Sequence, residues 1–252
     1  MALQRAIDSG ATTIFLPHGL WVLREPVIVR GKIRHIIGCE ARIRLEGMAN
    51  REALIITNIS HPVLTIERLH VEPTPGTFLS ASTDKTLVLR HCANLSAQFQ
   101  GNGKVFLEDV EFVGSVLWKG KDVWARQVTF DYDRDKIIND GGHFWALGLF
   151  ASKAGTLVRT IHGGKTEILG GQIFSNGGWK TRPLFAIEDS SASFVFSEAS
   201  YSNSAFETIV SETRGAKTKS LVVRGNEGMS ERDLPFHAGG IALPLYTGSP
   251  VQ

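Results

Sequence analysis

Two stretches of the chain, KVFLEDVEF at residues 104–112 and DVWARQVTF at 122–130, share one alternation of apolar and polar positions. In each, apolar residues stand at i, i+2, i+5 and i+7: Val105, Leu107, Val110 and Phe112 in the first, Val123, Ala125, Val128 and Phe130 in the second. The pattern recurs as Leu64, Ile66, Leu69, Val71; Leu87, Leu89, Cys92, Asn94; Phe144, Ala146, Leu149, Ala151; Thr166, Ile168, Gly171, Ile173; and Phe194, Phe196, Ala199, Tyr201. Successive starts lie 18 to 28 residues apart, the length of one solenoid coil. Alternate strand residues face one side, so each copy reads as two short strands meeting at a two-residue corner. A unit this small cannot bury its apolar face alone, whereas stacked parallel copies make one continuous core. The pattern therefore predicts an all-β fold, a right-handed parallel β-helix of about eight to ten coils, its hand following the usual chirality of parallel crossovers. A sandwich of antiparallel hairpins is the alternative, and the scarcity of hairpin turns between adjacent copies weighs against it.

The ends depart from the repeat. Residues 2–9, ALQRAIDS, place Ala2, Leu3, Ala6 and Ile7 on one helical face, and TTIFLPHGLWVL follows as two short strands around Pro17 to Gly19. An open coil end leaves apolar surface and strand edges uncovered, which a short amphipathic helix would cap. After residue 225 the periodicity fails, and SERDLPFHAGGIALPLYTGSPVQ carries three prolines. The expected organisation is one domain over 1–252: a capping helix at 1–10, coils over 11–225, and an irregular tail over 226–252 that packs on the last coil or along one face.

With 252 residues, 42% of them hydrophobic, and 26 glycines, the chain can bury a long core and turn often. A net charge of only +2 gives no reason to expect nucleic acid. No apolar run is long enough for a membrane span. The start MALQRAIDSG lacks the pattern of a signal peptide, so the protein is either cytoplasmic or begins after a leader. Cys39 and Cys92 are the only cysteines. Cys92 takes an inward position, which points to a buried free thiol over a disulfide.

The opening ALQRAIDSGATTIFLPHGLWVLREPVIVRGKIRHIIG resembles that of the pectate-lyase-like superfamily of β-helix proteins, in which a capping helix leads to a strand, a proline-glycine turn and a second strand. VWARQ, INDGG, WALGL and GGKTEILGG are similar to stretches in bacterial members of unassigned function. The resemblance implies the fold, polysaccharide substrates and a secreted or periplasmic location; it does not imply a particular reaction.

Equivalent outward residues of neighbouring coils stack in columns about 4.8 Å apart. One column reads Thr65, Val88, Phe106, Trp124, Trp145, Glu167, Val195. Its consecutive aromatics Phe106, Trp124 and Trp145 are candidates for binding sugar rings, or for a stripe covered by the tail or another subunit. A second column is the corner. Its first members Glu67, Arg90, Glu108 and Arg126 alternate in sign, and its second members are Arg68, His91, Asp109 and Gln127. These side chains are the ingredients of a register-fixing ion-pair ladder. They are also the ingredients of a lyase site for a uronic acid, with Arg90 and Arg126 against the substrate carboxylate, His91 as acid or base, and Glu108 or Asp109 orienting them. A glycoside hydrolase would need two carboxylates at fixed separation, and Asp109 and Glu111 diverge across the corner.

Arg42 and Arg44 alternate with Ala41, Ile43 and Leu45, so both point outward as candidates for a polyanionic glycan or as a solvated face. DYDRDKIINDGG spaces Asp131, Asp133 and Asp135 like a calcium loop, but Lys136 stands where an EF-hand needs glycine and Gly142 where it needs glutamate. Ca²⁺ therefore has no specific motif, no cofactor is expected, and an ordinary turn is preferred. IHGGKTEILGG lacks the strand-to-helix setting of a phosphate loop, leaving His162 and Lys165 exposed at tight bends. Two function classes follow: a polysaccharide lyase acting on an acidic glycan, with a hydrolase behind it, or a non-catalytic glycan-binding or structural β-helix of a surface or tail-fibre assembly. Either could be a monomer or a β-helix oligomer.

Overall fold

The computed structural model describes residues 2–73, 76–175, 182–199, 206–222 and 240–249. It is all-β, a parallel β-solenoid of about eight turns with one short helix at its start. The chain divides into two compact units, residues up to Val116 with Asp122–Trp124, and Leu117–Lys121 with the residues from Ala125 onward.

In the first unit, Thr13–Leu16 and Leu20–Leu23 both pair in parallel with His35–Leu45, which pairs with Val63–Val71, then Thr86–Leu95, then Val105–Phe112. A second ladder runs Val27–Gly31, Glu52–Ile59, Thr77–Ser82, Ala97–Gln100. Register follows the apolar repeat: Leu87 lies beside Leu64 and Val105, and Leu89 beside Ile66 and Leu107. A slip of one residue would turn every one of these side chains outward, so burial itself fixes the pairing. The helix Ala2–Asp8 buries Leu3 and Ile7, and Gln4 both accepts from the Ile28 amide and donates to the Ile28 carbonyl. It thereby occupies an edge strand that would otherwise be open.

In the second unit, His143–Ser152, Lys165–Phe174 and Ser191–Ala199 form one parallel ladder, and Ile137–Asp140, Val158–Ile161, Phe185–Glu188 and Thr208–Arg214 another. Phe185 and Phe194 stack in the interior at 3.9 Å between ring centroids.

The corner has a definite backbone. Strands continue through it because its second residue adopts positive φ: Arg68 at 59°, His91 at 47°, Asp109 at 52°, Gln127 at 54°, Gly148 at 73° and Gly170 at 80°. One left-handed residue resets the two-residue alternation, which is why inward positions step by three there.

Four details correct the sequence reading. Asn94 is not inward: the register shifts between Val110 and Phe112, and Leu95, 1% exposed, fills the place beside Phe112. The extra residue is a β-bulge. The coil starting at 194 is two residues out of register, since Thr166 and Ile168 lie beside Ala192 and Phe194, and Glu167 is therefore followed in its column by Ser193, not Val195. Residues 226–252 are not irregular throughout, because Gly240–Gly248 is a strand antiparallel to Ser191–Ala199. Its register shifts between Phe194 and Phe196, where Pro244 falls, a place where an edge strand admits proline. Finally, Lys217–Val222 is the return arm of a hairpin on Thr208–Arg214 and not part of a coil. Tyr201, the last proposed inward position, lies outside the described residues.

Candidate functional site

The left-handed corner residue turns its side chain, and that of the residue before it, out of the coil. Four of the five candidate catalytic residues come together there, on adjacent coils of the first unit. Arg90 Nε lies 3.1 Å from Glu108 Oε2, and His91 Nδ1 lies 3.0 Å from Asp109 Oδ2. One coil back, Arg68 Nε bonds Glu40 at 2.9 Å, and His35 faces Glu67. Of the alternating column, Arg90 and Glu108 form an ion pair between neighbouring coils, while Glu67 lies against His35. The side chains of the Arg90–Glu108 and His91–Asp109 pairs are about half exposed, 53% for His91 and 65% for Asp109, so both pairs are screened by water. The fifth candidate, Arg126, is exposed on the second unit and forms no ion pair among the described residues.

The aromatic column is stacked upon itself. Phe106 and Trp124 rings lie 4.9 Å apart at 12°, close to the spacing of adjacent strands. One face of each ring is therefore turned to the other, and Lys104 Nζ sits over the Trp124 ring, 5.5 Å from its centroid. Phe106 remains 39% exposed. Trp145, on the second unit, is half-buried on the outer side of its strand beside Glu167.

Arg42 and Arg44 project outward from one strand, as their alternation requires, and both grip Glu72 on the next coil. Arg42 Nη2 lies 2.5 Å from Oε1 and Arg44 Nε 2.6 Å from Oε2. The two guanidiniums, Arg44 foremost, hold the Glu72 carboxyl below the usual carboxylate range. A glycan carboxylate would have to displace Glu72 from this clamp.

Cys39 is exposed, Cys92 is buried, and both are free. Burial pushes the Cys92 thiol up to about 11. Among the described residues no group of three or more His, Cys, Asp or Glu could hold a metal ion, and no helix is long and apolar enough to cross a membrane.

Two features of these surfaces escaped the sequence reading. Glu72 stands one residue past the repeat, and carrying the outward alternation past Val71 would have found it. In the second unit His162 Nδ1 lies 2.6 Å from Asp140 Oδ1. Aligning the glycine pairs at 141–142 and 163–164 would have brought these two residues to adjacent coils.

No family model matches the chain, and neither a curated protein nor a solved structure matches it.

Proposed function

We propose that this β-solenoid is a glycan-binding module, a divergent secreted or periplasmic member of the pectate-lyase-like superfamily, that holds an acidic polysaccharide without cleaving it. The observation that carries the reading is the rung formed by Phe106, Trp124 and Lys104. Apolar ring surface to pack against a sugar and an ammonium to meet a uronate carboxylate stand within one coil spacing. The corner supports the non-catalytic half of the reading. Its Arg90 and His91 already face carboxylates on the next coil, and in water such groups lend little to a developing charge.

A lyase is the second reading, and one observation favours it. The bond between His91 Nδ1 and Asp109 orients an imidazole at an exposed corner that also carries Arg90 as its neighbour in sequence.

Affinity electrophoresis in gels containing acidic or neutral polysaccharides, run beside an ultraviolet assay for unsaturated uronate product, separates the two. Retardation by acidic polymers alone, lost in Trp124→Ala and reduced in Lys104→Ala, is the expected result, with no unsaturated product. Product formation abolished by His91→Ala would establish the lyase instead. Migration unaffected by every acidic polymer would remove glycan binding altogether.

A further inference from the structure

The loop that resembles a calcium site already contains a cation. Lys136 is 1% exposed, one of the few charged residues in the interior. Its ammonium donates to three main-chain carbonyls: Tyr132 O at 3.0 Å, Arg134 O at 3.3 Å and Ala154 O at 2.7 Å. Two belong to its own loop and the third to the loop of the next coil. Three donors thus meet three acceptors, the full capacity of an ammonium. The Tyr132 ring lies beside the Nζ at 5.3 Å.

The aspartates are not free to take up a metal. Asp133 accepts from the Ala154 amide, and Asp135 from the Thr156 amide and Arg182. Asp131 accepts from the Ser152 hydroxyl and pairs with Lys153. Each carboxylate thus ties this loop to the following coil, while the ammonium fills the centre. The close approach requires Gly155: a Cβ there would lie 2.2 Å from Arg134 O, at a φ of +99°.

We propose that residues 131–136 and 154 form a carbonyl cage for a primary ammonium, occupied by the chain's own Lys136, which clamps two successive coils together in place of a metal ion. Emptying the cage removes a donor from each of the three carbonyls, although Tyr132 O keeps the Arg134 amide at 3.2 Å, and a small primary alkylammonium from solution is the ligand that would fit it.

The test is chemical rescue of Lys136→Ala. Its melting temperature should lie below that of the wild type and recover by several degrees in n-butylammonium chloride. Tetramethylammonium chloride at equal ionic strength, which has no N–H donors, should not restore it, nor should n-butanol, which fills the space with a single donor. An equal response to all three would show cavity filling or bulk solvent effects and overturn the proposal. Chelation gives an independent measure: wild-type melting should be unchanged by EDTA, and a fall reversed by Ca²⁺ would make the loop a metal site. Should Lys136→Ala not fold, Lys136→Met retains the stem without the donors. Amide exchange over 153–156 should then be at least ten-fold faster than in the wild type, and exchange at the wild-type rate would sink the clamp.

Discussion

Two buried ionisable side chains make opposite predictions about pH. Burial pushes the Lys136 amine down to about 8 from an ordinary 10.5, against the attraction of Asp133, Asp135 and Asp131. Between those values the native amine is neutral while the unfolded one is charged, so the native state gains stability as pH rises through that window. Lys136→Met has no such gain. Its deficit relative to the wild type should therefore widen from pH 8 upward, at a slope of no more than about 1.4 kcal/mol per unit, in denaturant melts at stepped pH. Glu198 runs the other way. It is 1% exposed, accepts from Ser175 and the Phe206 amide through one oxygen, and leaves the other buried without a partner among the described residues. Burial raises its carboxyl above the usual range, outweighing those two bonds. A raised acid contributes stability below its unfolded value and loses it as pH rises through the folded one. Glu198→Gln should therefore melt higher than the wild type at neutral pH and lose that advantage in mild acid. At the corner, Arg90→Ala removes one exposed partner of Glu108 and should cost at most ~1 kcal/mol.

The strand-corner-strand element was legible because its inward positions alternate by two on either side of a fixed break. Leu64, Ile66, Leu69 and Val71 are all buried, and so are Val105, Leu107, Val110 and Phe112. What could not be read is whatever preserves that alternation while shifting it. In the last coil Ala192, Phe194, Phe196 and Glu198 are buried at an unbroken spacing of two, so Phe194 with Phe196 fits the first pair of the repeat as well as Ala192 with Phe194 does, and only pairing with Thr166 decides between them. The bulge that admits Leu95 in place of Asn94 adds one residue and leaves no local mark. The Lys136 clamp was hidden for a different reason: its acceptors are main-chain carbonyls, which every residue type carries. The corner carries its own prediction. Gln127 holds φ at 54°, in a region that costs most non-glycine residues about 1–2 kcal/mol and a β-branched one more. Gln127→Val should thus destabilise by about 1–3 kcal/mol while Gln127→Asn stays within about 0.5 kcal/mol, a contrast that composition and burial alone would not produce.

At the scale of the whole molecule, a solenoid of identical parallel coils has no intrinsic end, and an uncovered final coil is a template for another chain. The second unit ends both of its ladders by reversing strand direction. Gly240–Gly248 runs antiparallel on Ser191–Ala199, and Lys217–Val222 antiparallel on Thr208–Arg214. The two endings are tied together, since Tyr246 donates to Glu212 at 2.6 Å while its ring stacks on Phe194 at 5.8 Å. Glu212 is in turn held by Arg214. No repeat announces this arrangement, because a capping strand packs once and its direction is set by the edge it covers. Removing residues 240–252 should uncover the edge of Ser191–Ala199 together with Phe194, and the shortened chain should associate at concentrations where the full chain does not, visible as a larger species in sedimentation velocity. Tyr246→Phe keeps the ring and its stacking while removing one bond to a carboxylate, and should lower stability by about 1.5–3 kcal/mol without association. If the shortened chain kept the sedimentation behaviour of the full chain, Gly240–Gly248 would be an ornament on the last coil and something else would protect that edge.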